Sequence, residues 1–154
     1  MKKRIIWILA FTTLFALPAL GVSASFKVYP GAKLEDVYEV KQQPEPGKIL
    51  KASKEIVFTT NDPFESVVAF YSGIAREYRI PGRTGHAMKL FSGQELKEAY
   101  FIFDGAGDLG TSKHWIKIQR PYLSRARTSE GFQGKYEKVR DVTAIIEEDK
   151  RTYP

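Results

Sequence analysis

No cysteine occurs among the 154 residues. That absence excludes disulfides, thiolate metal sites, a cysteine nucleophile and the acylated cysteine of a lipoprotein. Histidine is scarce as well. His86 and His114 are the only imidazoles, and no H-x-H or H-E-x-x-H spacing joins them. They fall on different predicted strands, where a structural role in a half-buried strand is the expectation for each. Ser92 precedes Gly93 in "LFSGQE", but Leu90 stands where a nucleophile elbow needs its first glycine. Paired carboxylates for hydrolysis stay open, because any two acidic residues can meet in space and none is marked by spacing. No segment repeats. The expectation is therefore no cofactor, no metal and no catalytic residue.

Long apolar runs are missing too, except at the N-terminus. "MKKRIIWILAFTTLFALPALGVSASF" has a basic start (Lys2, Lys3, Arg4), an apolar stretch from Ile5 to Leu17, a break at Pro18, and Val22-Ser23-Ala24 before a cleavage point. This is the order of a secretory signal peptide, residues 1–24, cut after Ala24. An uncleaved anchor is the competing reading, because Ile5 to Ala24 almost spans a bilayer, but Thr12, Thr13, Pro18, Gly21 and Ser23 weaken it. Residues 25–154 then form one exported domain, periplasmic or secreted, with no transmembrane segment left. The balance of 24 basic to 18 acidic residues becomes 21 to 18, so the charge falls from +6 to +3.

The mature part reads as α+β, with one main amphipathic helix packed on an antiparallel sheet of about four to six strands. Leu34 to Lys41 and "KILKASKEIVFTT" read as a hairpin across the turn-rich "QQPEPG". "NDPFESVVAFYSGIAREYRIPG" reads as the helix. Asp62 is its expected cap, Pro63 its first residue and Glu65 the return arm of a capping box. Phe64, Val67, Val68, Tyr71, Ile74, Ala75 and Tyr78 make one stripe, and Pro81-Gly82 closes it. "HAMKLF", "LKEAYFIFD", "SKHWIKIQ" and "VRDVTAIIEE" read as further strands.

Gly105-Ala106-Gly107-Asp108-Leu109-Gly110 has the G-x-G-x-x-G spacing of a dinucleotide loop. Such a loop must open a helix. Here His114, Ile116 and Ile118 alternate with Lys113, Trp115 and Lys117, which is strand period. The loop therefore reads as a hairpin turn holding no nucleotide. A symmetric register places Phe101 opposite His114 and Tyr100 opposite Trp115, with Glu98 facing Lys117. A calcium loop is a poor fit, because Ala106, Leu109 and Trp115 occupy ligand or glycine positions.

Charge is unevenly spread. Thr111 to Arg140 holds eight basic and two acidic residues, a local +6, and the remaining mature residues sum to −3. Trp115, Tyr122, Phe132 and Tyr136 are interleaved with these cations. Lys113, Trp115, Lys117, Arg120, Arg125 and Arg127 are thus the candidate ligand-binding residues for an anion. In an exported chain the partner would be an envelope protein, an anionic envelope polymer or a lipid headgroup rather than nucleic acid. Residues 121–138 read as a long connection.

"VYPGAK", followed about thirty residues later by "FTTNDPFESVVAFY", resembles small uncharacterised bacterial exported proteins. In these a YPGA-like start precedes a strand and a T-x-D-x-x-E-x-V-x-x-F-Y helix, matched by Thr60, Asp62, Glu65, Val67, Phe70 and Tyr71. The resemblance implies a bacterial envelope setting and one α+β domain, and no activity. The leading expectation is an exported accessory domain that binds a partner or anionic envelope ligand. A small periplasmic hydrolase and a self-associating envelope protein are the alternatives.

Overall fold

The computed structural model describes residues 24–41, 52–89, 93, 95–128 and 131–151. The expected signal segment up to residue 23, the connector at 42–47 and Ser92 lie outside them. The order is β1 (Lys33–Lys41), β2 (Ala52–Thr60), α1 (Phe64–Ser72), β3 (Arg76–Tyr78), β4 (Ala87–Lys89), β5 (Glu95–Ile102), β6 (His114–Arg120), β7 (Tyr122–Thr128), β8 (Gly131–Arg140) and β9 (Thr143–Asp149). Seven strands form one antiparallel sheet in the order β1-β2-β9-β6-β5-β3, with β4 also on β5. The sheet is larger than expected, so the described residues are mainly β with one helix.

Two elements differ from the sequence reading. The helix stops at Ser72, and Gly73 caps its end through bonds to Phe70 and Tyr71 carbonyls. Arg76-Glu77-Tyr78 then leaves the helical path and pairs with Ile102, Phe101 and Tyr100 of β5. Apolar spacing alone carried the predicted stripe through to Tyr78, whereas the β5 edge offered ladder bonds to those residues. The capping box is absent as well. Pro63 is the N-cap with no side-chain cap bond. Glu65 instead meets Lys97 Nζ at 2.6 Å, and Asp62 accepts the Tyr29 hydroxyl at 2.8 Å. The second difference is the stretch read as a connection. Most of it is the β7–β8 hairpin, a separate two-stranded sheet.

Alternation along the strands divides the sheet into two faces. Ala99, Phe101, Ile116, Ile118 and Ile145 point toward α1, which supplies Phe64, Val67 and Tyr71. The N-terminal stretch fills the space beside the helix. Phe26 stacks on Tyr71 at 6.0 Å and meets Phe103 edge-on at 5.7 Å. The Tyr71 hydroxyl donates to the Lys27 carbonyl at 3.0 Å, so its buried oxygen is satisfied. Each such fully buried side chain contributes roughly 1.5–3 kcal/mol of hydrophobic stabilisation. The opposite face has a smaller apolar cluster, Val57, Tyr122 and Ala144 with Tyr38, Val142 and Ile146 beside it.

Candidate binding cleft

The face away from α1 carries an unusual mixture for a sheet interior. Tyr38 pairs with Glu55, Glu55 with Glu148, and Glu148 with Trp115 across β1, β2, β9 and β6. The next row runs Val57, Ile146, Lys117 and Tyr100. Gln119 lies opposite Glu98 one step further on. Above these rows the chain turns at Pro121, and Tyr122 and Leu123 at the base of the β7–β8 hairpin close over them. The result is a cleft of about 220 Å³, with Tyr38, Glu55, Glu98, Tyr100, Lys117 and Tyr122 among its lining.

A compact charge network sits in its wall. Glu98 is 10% exposed and Lys117 11%. The Glu98 carboxylate receives Arg83 at 2.8 Å, the Tyr100 hydroxyl at 3.1 Å and Lys117 Nζ at 3.4 Å. Burial by itself would raise the Glu98 pKa. The Lys117 charge and the Arg83 and Tyr100 bonds outweigh it, so the group titrates below its ordinary value. Burial, then the Glu98 charge and hydrogen bond, push Tyr100 up to about 12. Burial raises Tyr122 as well, helped by the charges of Glu35, Asp36 and Glu55. The hairpin base is fastened by Arg140, which pairs with Glu35 at 2.8 Å and lies 5.3 Å from the Tyr122 ring centre.

The residues expected to form an anion-binding face do not share a face. Lys113 is exposed just before β6. Trp115 and Lys117 project to the cleft side, and the Trp115 ring lies 6.2 Å from Tyr100. Lys117 is occupied by Glu98. Arg120 projects to the helix side, as strand alternation requires. Its guanidinium donates to Asp141 Oδ1 at 2.9 Å, to the Asp62 carbonyl at 3.0 Å, to Thr143 Oγ1 at 3.2 Å and to the Asp141 carbonyl at 3.2 Å. It is an internal clamp between the start of α1 and the β8–β9 turn. Arg125 and Arg127 sit on β7, in register with Tyr136 and Phe132 of β8. Their side chains lie outside the described set.

The glycine loop is a turn between two antiparallel strands. Asp104 organises it, accepting from Ala106 N at 3.2 Å, Ser112 Oγ at 3.0 Å, and the backbone N–H groups of Lys113 and His114. Burial raises the Asp104 pKa, but these four donors together lower it. Asp108 accepts Thr111 N at 2.9 Å. Of the three glycines only Gly105 has positive φ, at 74°. The register is two residues from the symmetric one: Phe101 faces Ile116 and Tyr100 faces Lys117. An even shift preserves the faces, so Tyr100 still meets Trp115 and Glu98 still meets Lys117, diagonally.

The two histidines do not meet, and each has its own carboxylate. His86 Nε2 is 2.9 Å from Glu77 Oε1, at a half-buried edge. His114 is 1% exposed, with Nε2 2.8 Å from Glu147 Oε1. His114, Glu147 and Asp149 are close enough to hold a metal ion. Two features argue against that use. A metal between Nε2 and Glu147 would move the ring proton to Nδ1, which is buried with no partner. Metal-bound histidines instead donate their second N–H to an acceptor. Asp149 is also held by Arg151 through two side-chain bonds of 2.9 Å. The trio reads as a structural lock at one end of the core.

Sequence reasoning missed the cleft because its residues come from five separated strands and the hairpin base. The available signal was local. Tyr100, Lys117 and Glu98 shared one strand face even in the symmetric register. Comparison of the chain with family models, curated proteins and solved structures finds no match.

Proposed function

We propose that the chain is an exported, non-catalytic binding domain whose ligand occupies the cleft beneath the β7–β8 hairpin. The export half of this reading rests on the N-terminal order of basic, apolar and small residues, with a cut after Ala24. The binding half rests on one observation above all, the near-buried Glu98–Lys117 pair set among tyrosines, with Arg83 holding Glu98 from a more exposed position. Apolar residues of similar size would hold a hairpin onto a sheet at least as well as a buried ion network. A network retained at a concave, aromatic-lined surface supports a recognition role.

Binding is favoured over hydrolysis by the direction of the pKa shifts in the cleft. Glu98 moves down, while Tyr100 and Tyr122 move up. All three move away from neutrality, whereas a general acid or base is useful near the working pH. Edge-to-edge self-association is disfavoured at β1. Its edge carries Lys33, Glu35, Asp36 and Glu39, with an irregularity between Leu34 and Asp36, both devices that blunt a free edge. The anionic-ligand reading narrows to the hairpin, where Arg125 and Arg127 lie in register with aromatic residues.

Amide chemical-shift mapping of the labelled mature protein with envelope extract tests the reading. Shifts centred on Val57, Tyr100, Lys117 and Ile146 are expected. Shifts confined to the hairpin strands would move the binding site there, and no shifts at all would remove the binding reading.

A further inference from the structure

We propose that the cleft takes a single neutral polyhydroxylated ring, a sugar residue of a glycan. This rests on the reading of the cleft as the binding site. Size is the first argument. About 220 Å³ is below the roughly 300–1,000 Å³ of ordinary small-molecule pockets. It suits one ring rather than a fused or dinucleotide ligand.

Charge is the second. Glu55 and Glu98 face the cleft with Lys117, and Arg83 reaches Glu98 from its edge. Within the lining two carboxylates thus stand beside one ammonium, and Arg83 holds Glu98 from outside the cleft. A cationic ligand would meet Lys117, and an anionic one would meet Glu55 and Glu98. An ion of either sign would thus be desolvated beside a like charge, which is costly.

Functional groups are the third. A sugar hydroxyl both donates and accepts. The phenols of Tyr38, Tyr100 and Tyr122 do the same, carboxylates accept, and the Lys117 ammonium donates. The tyrosine rings also provide apolar faces against which the C–H side of a sugar ring can lie. Val57, Leu96 and Ile146 complete the apolar part of the lining. Aromatic faces combined with two-way hydrogen-bonding groups and charges of both signs complement a sugar better than they do an ion or a purely apolar molecule.

The test is amide-shift mapping of the whole mature chain with a hexose, an N-acetylhexosamine and a short oligosaccharide of each, against spermidine and citrate as ionic controls. Each probe is used at about 10 mM, enough to populate a site of millimolar Kd. The expected result is shifts at Tyr100, Lys117 and Ile146 with at least one saccharide and with neither ionic control. Tyr38→Ala and Glu55→Gln should each weaken that binding at least fivefold while the unfolding transition stays cooperative. If a saccharide fails and an ionic probe shifts the cleft, the ligand class is wrong and the cleft reading stands. Saccharide shifts located only elsewhere would overturn both. No shift with any saccharide would overturn the sugar assignment, leaving the envelope-extract experiment to judge the cleft.

Discussion

Tyr100 and Phe101 are neighbours on β5 and belong to different environments. Phe101 is fully buried under α1, among Tyr71, Ile116 and Ile118. Tyr100 faces the cleft, bonded to Glu98 and packed beside Trp115. The same contrast runs along the central strands. One face is sealed by the helix and by Phe26 and carries the buried His114–Glu147 lock. The other is lined by phenols, carboxylates and a lysine around an open volume. The comparison teaches that strand alternation lets one sheet keep stability on one side and recognition on the other.

Substituting the two neighbours should break the comparison most strongly. Phe101→Ala is expected to cost about 3–5 kcal/mol in urea unfolding, as truncation of a buried aromatic does. Tyr100→Ala should cost about 1–2 kcal/mol, because its ring is only half-buried. Equal costs would mean that the cleft face is as much a core as the helix face.

Arg120 sets a clamped cation against the arginines of the hairpin. Arg120→Ala removes a guanidinium with several backbone and side-chain acceptors and should lower stability by about 2 kcal/mol. Replacing Arg125 and Arg127 together should change stability by less than about 0.5 kcal/mol. It should also weaken salt-sensitive retention on anionic vesicles if the hairpin binds anions. Retention equal to that of the unaltered protein at low salt would remove the anion reading.

The acid limb of stability tests the cleft network. The folded Glu98 carboxylate titrates below its ordinary value of 4.5, so the unfolded chain takes up the proton first as pH falls. The stability it contributes is complete above that value and is lost as pH drops through the folded pKa. Glu98→Gln should therefore flatten the loss of stability as pH falls through and below the ordinary value of 4.5. An unchanged slope would show that the network adds nothing to the native state. The smallest effect belongs to the glycine loop. Gly105→Ala should cost about 1 kcal/mol through its positive φ, and Gly107→Ala close to nothing. Equal effects would mean the turn is not built around Gly105.

Much of the architecture was legible because it follows period and punctuation. The start of the helix at residues 63–64, the strands around Ala99 and Ile116 and the turn nature of the glycine loop all came from local pattern. The end of the helix did not. Ile74, Ala75 and Tyr78 keep helical spacing, and only the ladder to β5 reveals that residues 76–78 are a strand. The β7–β8 hairpin was hidden because Arg, Ser, Thr and Gly across residues 124–131 read as solvated chain. For the site, Trp115 and Lys117 were singled out for their charge and aromatic character. Their faces could be inferred, but the partner that occupies Lys117 could not be. Arg120 reads as an anion-binding cation in the sequence because its acceptors, the carbonyls before α1, lie about sixty residues away.

Lys117→Met is the most direct test of the division between the two faces. Methionine keeps much of the length of the side chain, and Glu98 retains Arg83 at 2.8 Å. If the network serves recognition, urea unfolding should show only a modest loss of stability, about 1 kcal/mol, because Arg83 still holds Glu98, and the shifts produced by envelope extract at Tyr100 and Ile146 should vanish. A large loss of stability with those shifts intact would contradict the account and make the network part of the scaffold.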